Sequence, residues 1–204
     1  MKESGIICQV RIKKYRSYKG EIGKIASNLL NRNFYSHSPL TKLVTDVTEF
    51  SLFGVKRYLS PIMDLFNGEI ICYTLYEHPV LDMVIDMEKQ LIKKVGNGNG
   101  AIVHSDQGWQ YQHKTYQALL NQNGFKQSMS RKGNCLDNAM MENFFGPLKS
   151  ELLYLQDFKD VKEFEDELHA YIKYYNEKRI KSKLGGKSPV QYRKRYEQQQ
   201  TYAR

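Results

Sequence analysis

Three cysteines, Cys8, Cys72 and Cys135, stand far apart and form no C-x-x-C pair, so no disulfide framework is implied. The five histidines show no zinc-ligand spacing either. No apolar run approaches the roughly 18 residues that a membrane span needs. The N-terminal MKESGIICQVRIKK is interrupted by charge too early for a secretory signal. A soluble cytoplasmic protein with no membrane partner is therefore expected. The glycines at 96–100 (GNGNG) lack the Gly-Lys-Ser/Thr that a phosphate-cradling loop requires and read as a flexible connection. Internal repeats are absent.

With 41% hydrophobic residues in 204, the chain can bury a core of ordinary size. Its net charge of +9 is unevenly spread: +6 over residues 1–41, −2 over 42–125 and +5 over 126–204. Basic ends around an acidic middle suit a polyanion partner approaching a carboxylate-bearing centre, although a basic solvated surface would look the same by charge alone.

Residues 1–38 read as a basic arm, with RIKKYRSYKG followed by a short helical pattern through Ile25, Leu29 and Leu30. LVTDVTEFSLFG, VKRYLSPIMDLF and EIICYTLYEH then read as three strands, the last two joined by the hairpin turn Asn67-Gly68. Pro79 opens a helix carried by Val80, Met83, Val84, Met87, Leu91 and Val95. AIVHSD is a fourth strand. A helix over 115–123 and a fifth strand, FKQSMS, follow. Asp137 or Asn138 caps a helix expected from Ala139 to Leu155, and Val161–Tyr175 forms another with Phe164, Leu168, Tyr171 and Ile172 on one face. This is an α/β order with a mixed five-stranded sheet flanked by helices, as in the ribonuclease H fold. Such a match fixes architecture and not activity.

Three acids stand out. Asp46 lies mid-strand among apolar neighbours, where a charge is costly without a partner or a task. Asp106 follows the strand AIVH, at the end where α/β sheets present functional groups. Glu142 lies in a helix start, DNAMMENFF, four residues after Asn138 and so on the same face. Singly, an Asp after a strand is an ordinary turn residue. Together, three carboxylates from separate elements offer hard oxygen ligands for Mg²⁺ or Mn²⁺. Two such ions, about 4 Å apart, serve the attacking and leaving oxygens at a phosphorus.

Thirty-five residues separate Asp106 from Glu142, and 59 separate Asp46 from Asp106. This spacing resembles the D,D-35-E arrangement of the retroviral-integrase superfamily. The segments TDVTEF, HSDQGWQYQH, SMSRKGNCLDNAMMENFFGPLKSELLY and YYNEKRIKSKLGGKSPVQYR resemble the catalytic blocks of OrfB-type transposases of bacterial insertion sequences. The likeness runs from about Tyr18 to Arg193. It implies a catalytic core over 39–177, a basic tail over 178–204, and an arm over 1–38 that is the end of an upstream helix-turn-helix region. In that reading the chain is a short or truncated copy, and a separate upstream-frame DNA-binding protein supplies end recognition.

The resemblance implies that Asp46, Asp106 and Glu142 are the catalytic, two-metal-binding triad. The activity implied is nicking at element ends and joining of the freed 3′-hydroxyl to target DNA by a homo-oligomer, dimeric or larger. Lys149, seven residues after Glu142, is the expected phosphate contact, although Pro147 between them disturbs the helix that would align them. Arg131, Lys132, Lys178, Arg179 and Lys181 are the further expected DNA contacts, and Asn138, His104, Gln107 and Tyr111 the expected supporting residues. Leu43 stands where the family commonly has Trp. Two other readings of the same residues are a ribonuclease H-like nuclease without strand transfer and a truncated DNA-binding remnant.

Overall fold

The computed structural model describes residues 23–202. It contains a mixed sheet of six strands: β1 (Lys42–Thr45), β2 (Thr48–Leu52), β3 (Val55–Asp64), β4 (Ile70–Tyr76), β5 (Ile102–Ser105) and β6 (Lys126–Met129). The expected first strand is thus two, but both halves keep one register against β3, with Thr45 opposite Ile62 and Thr48 opposite Leu59. Extending that register puts Pro61 opposite Asp46. Proline has no N–H for the ladder, which accounts for the break. The five-stranded sheet is present with its first strand interrupted at Asp46. Phe53 and Gly54 close its first hairpin with φ of 51° and 77°, the left-handed pair that a two-residue turn demands.

β1 pairs in parallel with β5, and β5 with β6; the pairings of β3 are antiparallel. Side-chain alternation sends Leu43 and Ile62 to one face and Val44 and Met63 to the other. On the first face lie α1 (Leu81–Val95) and α3 (Lys114–Gln122), preceded by the single turn α2 (Trp109–Gln112). On the second lie α4 (Ala139–Leu148) and α5 (Val161–Glu177). The expected helix over Ala139–Leu155 is shorter: Pro147 falls in its last turn, and Lys149–Leu153 continues as a wider π-helical turn.

Two further expectations are corrected. Residues 25–30 form no helix. They lie along β6, where Ser128 Oγ accepts from Leu29 N–H (2.9 Å) and Ser27 O accepts from Met129 N–H (3.4 Å). A sheet edge with unpaired groups recruits such a segment whatever its helical periodicity. RIKKYRSYKG lies outside the described residues. The tail contains a helix, α6 (Pro189–Tyr202), seated on the β3–β4 turn. Arg193 donates to buried Asp64 (2.9 Å) and to Glu69 (2.6 Å), and the Tyr192 and Tyr196 rings pack on Phe66. Arg193→Met would leave the Asp64 carboxylate without its counter-charge, at a cost of about 3 kcal/mol. The urea midpoint of the variant reads this loss; an unchanged midpoint would show that α6 adds no stability.

Among the described residues no helix is long and apolar enough to cross a membrane.

Candidate active site

The parallel register fixes the first two acids. Val44 pairs with His104, so one further pair of residues along each strand brings Asp46 beside Asp106. The strand spacing there is about 4.8 Å. Both are half-buried. The third acid comes from α4, whose Met141, Phe144, Phe145 and Leu148 enter the core while Glu142, on the opposite side, stays exposed. Its charge reaches Asp46. The structure therefore gathers Asp46, Asp106 and Glu142 at one end of the sheet, on the α4 face.

The cluster is electrostatically loaded. The Asp46 carboxyl is pushed up to about 7, first because surrounding protein removes water and then because Asp106 and Glu142 add like charge. The Val47 N–H (2.8 Å) pulls the other way. Burial also raises Asp106, against the N–H of Gly108 that its Oδ1 accepts at 2.8 Å. A Cβ added at Gly108 would meet that oxygen at 2.9 Å, so a larger residue there would have to displace the carboxylate.

Asn138 lies against Asp46, holding down part of its rise, yet both atoms of its carboxamide are buried without a hydrogen bond of good geometry. Orphaned buried polar atoms beside crowded carboxylates suit an additional polar group or cation. Among the described residues no three acid, histidine or cysteine side chains close on one point as a finished metal cage. The donor set still fits a divalent cation. It is all hard oxygen, Asp46 and Asp106 each keep one oxygen free of the hydrogen bonds above, and positive charge would relieve the repulsion.

The supporting residues divide. His104 is fully buried: its Nε2 donates to Asp137 O (3.0 Å), so Nδ1 accepts from Ser128 Oγ (2.7 Å), and burial keeps the ring neutral. It fixes β5 and touches none of the three acids through these bonds. Gln107 holds the following loop by donating to Ser130 O (3.0 Å). Tyr111 is buried beneath the site with its hydroxyl 3.4 Å from Thr45 Oγ1.

The expected DNA contacts divide as well. Lys149, half-buried, stands 5.6 Å from the Phe50 ring centroid within electrostatic reach of Asp46 and Glu49; burial lowers its ammonium below the usual range. Lys132 and Lys178 are exposed. Arg179 is engaged by Glu151 (2.6 Å). Lys181 turns inward, donating to Tyr175 Oη (2.6 Å) and Gly68 O (3.3 Å), and burial pushes it down to about 8. Those internal bonds engage the Lys181 ammonium within the fold. Arg131 is bound by Asp137, a buried acid that sequence reasoning treated only as a helix cap. Two of the partners of Asp137, Arg32 and Asn28, lie more than a hundred residues earlier, and no local pattern announces them.

Comparison with known proteins bears on the family and the fold. Residues 36–135 and 142–196 each match a family described as integrase core domain. A putative transposase for the insertion sequence element IS150 of Escherichia coli is 53% identical over 90% of the chain, and the chain spans 65% of its length, under two thirds. An uncharacterized transposase-like protein of Haemophilus influenzae is 51% identical over 93% of the chain and 87% of its own length. A transposase for insertion sequence element IS904 of Lactococcus lactis is 37% identical, covering 89% and 72%. Among solved structures, the HTLV-2 integrase catalytic core in complex with magnesium superposes with a TM-score of 0.62 at 19% identity, over 77% of the chain and 98% of that core. A simian T-cell lymphotropic virus intasome gives 0.64 at 17% identity, over 84% and 57%. At these identities the structures speak for the fold.

Proposed function

The chain belongs to the insertion-sequence transposases built on the integrase core domain, and from that membership we propose that it is a DNA strand-cutting and strand-joining core working through Asp46, Asp106 and Glu142. The observation that supports the reading is that Asp46, just past β1, is raised by burial and then by the charges of Asp106, just past β5, and of Glu142 on α4. Sites tuned in this way are where function concentrates.

Asp46, Asp106 and Glu142 would hold two divalent cations, Mg²⁺ or Mn²⁺, which when bound lower the charge on a phosphodiester and activate the attacking oxygen. The chain's own contribution is placement. Val47 and Gly108 N–H groups orient the two aspartates. The buried face of α4 aims Glu142 outward, and Asn138 presents its carboxamide to Asp46. Lys149 brings positive charge beside the acids, where a phosphate would lie. Water attack would free a 3′-hydroxyl at the element end; that hydroxyl would then displace the 3′-oxygen of a target phosphodiester, conserving the number of bonds. No protein nucleophile is needed.

DNA ends and target DNA are the proposed partners, gripped with an affinity that falls steeply with salt. A dimer or higher assembly on two ends, end recognition by an upstream-frame protein, and the arm–core–tail division at 38/39 and 177/178 belong to the same proposal. The test is strand transfer by the purified chain on a pre-cut duplex oligonucleotide with Mn²⁺, beside Glu142→Gln. Joined products from the wild type alone support the reading. Nicking without joining favours a nuclease, and salt-sensitive binding without either favours a DNA-binding remnant.

A further inference from the structure

One residue with a buried carboxylate, Asp137, ties together four separate stretches of chain. Asp137 is fully inaccessible and accepts from Arg131 N–H (3.0 Å), Arg131 Nε (2.9 Å) and Nη2 (2.8 Å), Arg32 Nε (3.0 Å) and Asn28 Nδ2 (3.0 Å). Arg32 also donates through Nη2 to Asn134 Oδ1 (3.1 Å). The Asp137 carbonyl receives the His104 Nε2–H from β5. The next residue, Asn138, lies on Asp46, and α4 with Glu142 begins immediately after. The N-terminal segment, β5, the loop after β6 and the start of α4 therefore meet at Asp137.

This arrangement exceeds what a helix cap requires. Asp137 offers no side-chain cap to α4; its carboxylate points away, to Arg32 and Arg131. Both guanidinium groups are partly exposed, 45% and 55%, while the acid they hold is not. Charge-assisted bonds of this kind are short and directional, and they hold a loop in one arrangement. Without them the loop 131–134, with exposed Arg131 and Lys132 and a left-handed Gly133, contributes no buried side chain to fix it.

We propose that Asp137 is a positioning residue for the Asp46–Asp106–Glu142 centre, and that Asn28 and Arg32 act through it, so that seating of the N-terminal segment on the sheet edge sets where α4 begins and where Glu142 stands. The inference rests on the reading of those three acids as the active centre. Residues 28–32, which sequence reasoning assigned to a peripheral arm, thereby become part of the catalytic unit. A tug on that segment is transmitted to Glu142 through the Asp137 carboxylate.

The experiment compares wild type, Arg32→Gln, Arg32→Lys and Asp137→Asn in the full chain by three readouts. These are trypsin cleavage after Arg131 and Lys132, Mn²⁺ binding by calorimetry without DNA, and strand transfer with the DNA Kd measured in parallel. In Arg32→Gln, cleavage is expected about tenfold faster, Mn²⁺ affinity about tenfold weaker and the joining rate about tenfold lower, the scale for supports of metal ligands. The DNA Kd changes less than the Mn²⁺ affinity does, and Arg32→Lys recovers part of each loss. Arg32→Gln keeps the test decisive if Asp137→Asn fails to fold. Wild-type cleavage and Mn²⁺ binding in Arg32→Gln would overturn the inference, even if its melting temperature falls. Shifts in those two readouts with no strand transfer from the wild type would sustain the positioning role and defeat the transposase reading.

Discussion

Asp106→Asn is expected to lower strand transfer at least about a thousandfold, a loss of roughly 4 kcal/mol of transition-state stabilisation. The substitution preserves shape and the acceptor that takes the Gly108 N–H, so the turn 106–108 should survive. What disappears is one of two carboxylates set side by side by the parallel register of β1 and β5. Asp46, raised partly by its neighbour's charge, should then fall back toward the ordinary carboxylate range. Removing like charge relieves the folded state, so the urea midpoint should hold or rise. DNA affinity should hold or rise for the same reason, since one negative charge facing the phosphates is gone. Intact binding and stability with abolished joining would separate chemistry from fold. A variant within tenfold of wild type would sink the assignment of Asp106.

The parts of this centre that sequence made legible are those written in local pattern. Alternation along LVTDVTEF places Asp46 opposite Thr45 and Val47, and helical spacing puts Glu142 on the same face as Asn138. Long ordered blocks identified the family. What stayed hidden depends on contacts between distant residues. The break of the first strand comes from Pro61 on the facing strand, a signal present in the sequence but meaningful only once the register is known. The helical spacing of Ile25, Leu29 and Leu30 was overridden by the open edge of β6. A lysine's sign says nothing of burial, so Lys181 and Lys132 look alike until Tyr175 and Gly68 are seen to capture one of them. The charge of the tail alone suits a surface for DNA, and it does not disclose that Arg193 has Asp64 and Glu69 as partners within the chain.

Glu88 supplies the second large effect, on stability rather than chemistry. It lies on α1 four residues after Val84 and three before Leu91, in the apolar stripe, and is fully buried with neither carboxyl oxygen hydrogen-bonded among the described residues. Burial alone pushes it up to about 9, from 4.5 in an open chain. A carboxyl raised by folding contributes stability that is complete below about pH 4.5 and is lost as pH climbs toward 9. The slope is about 1.4 kcal/mol per pH unit, so this one group should remove roughly 3 kcal/mol between pH 6 and pH 8. Glu88→Met keeps similar volume, suits the stripe and cannot titrate. The variant should exceed wild type by about 2 kcal/mol at pH 6 and about 5 kcal/mol at pH 8, read from urea unfolding at both values. Subtracting the two proteins cancels the shared titration of other groups. If the difference is the same at both pH values, Glu88 keeps its charge inside the fold, and the apolar setting assigned to this part of α1 is wrong.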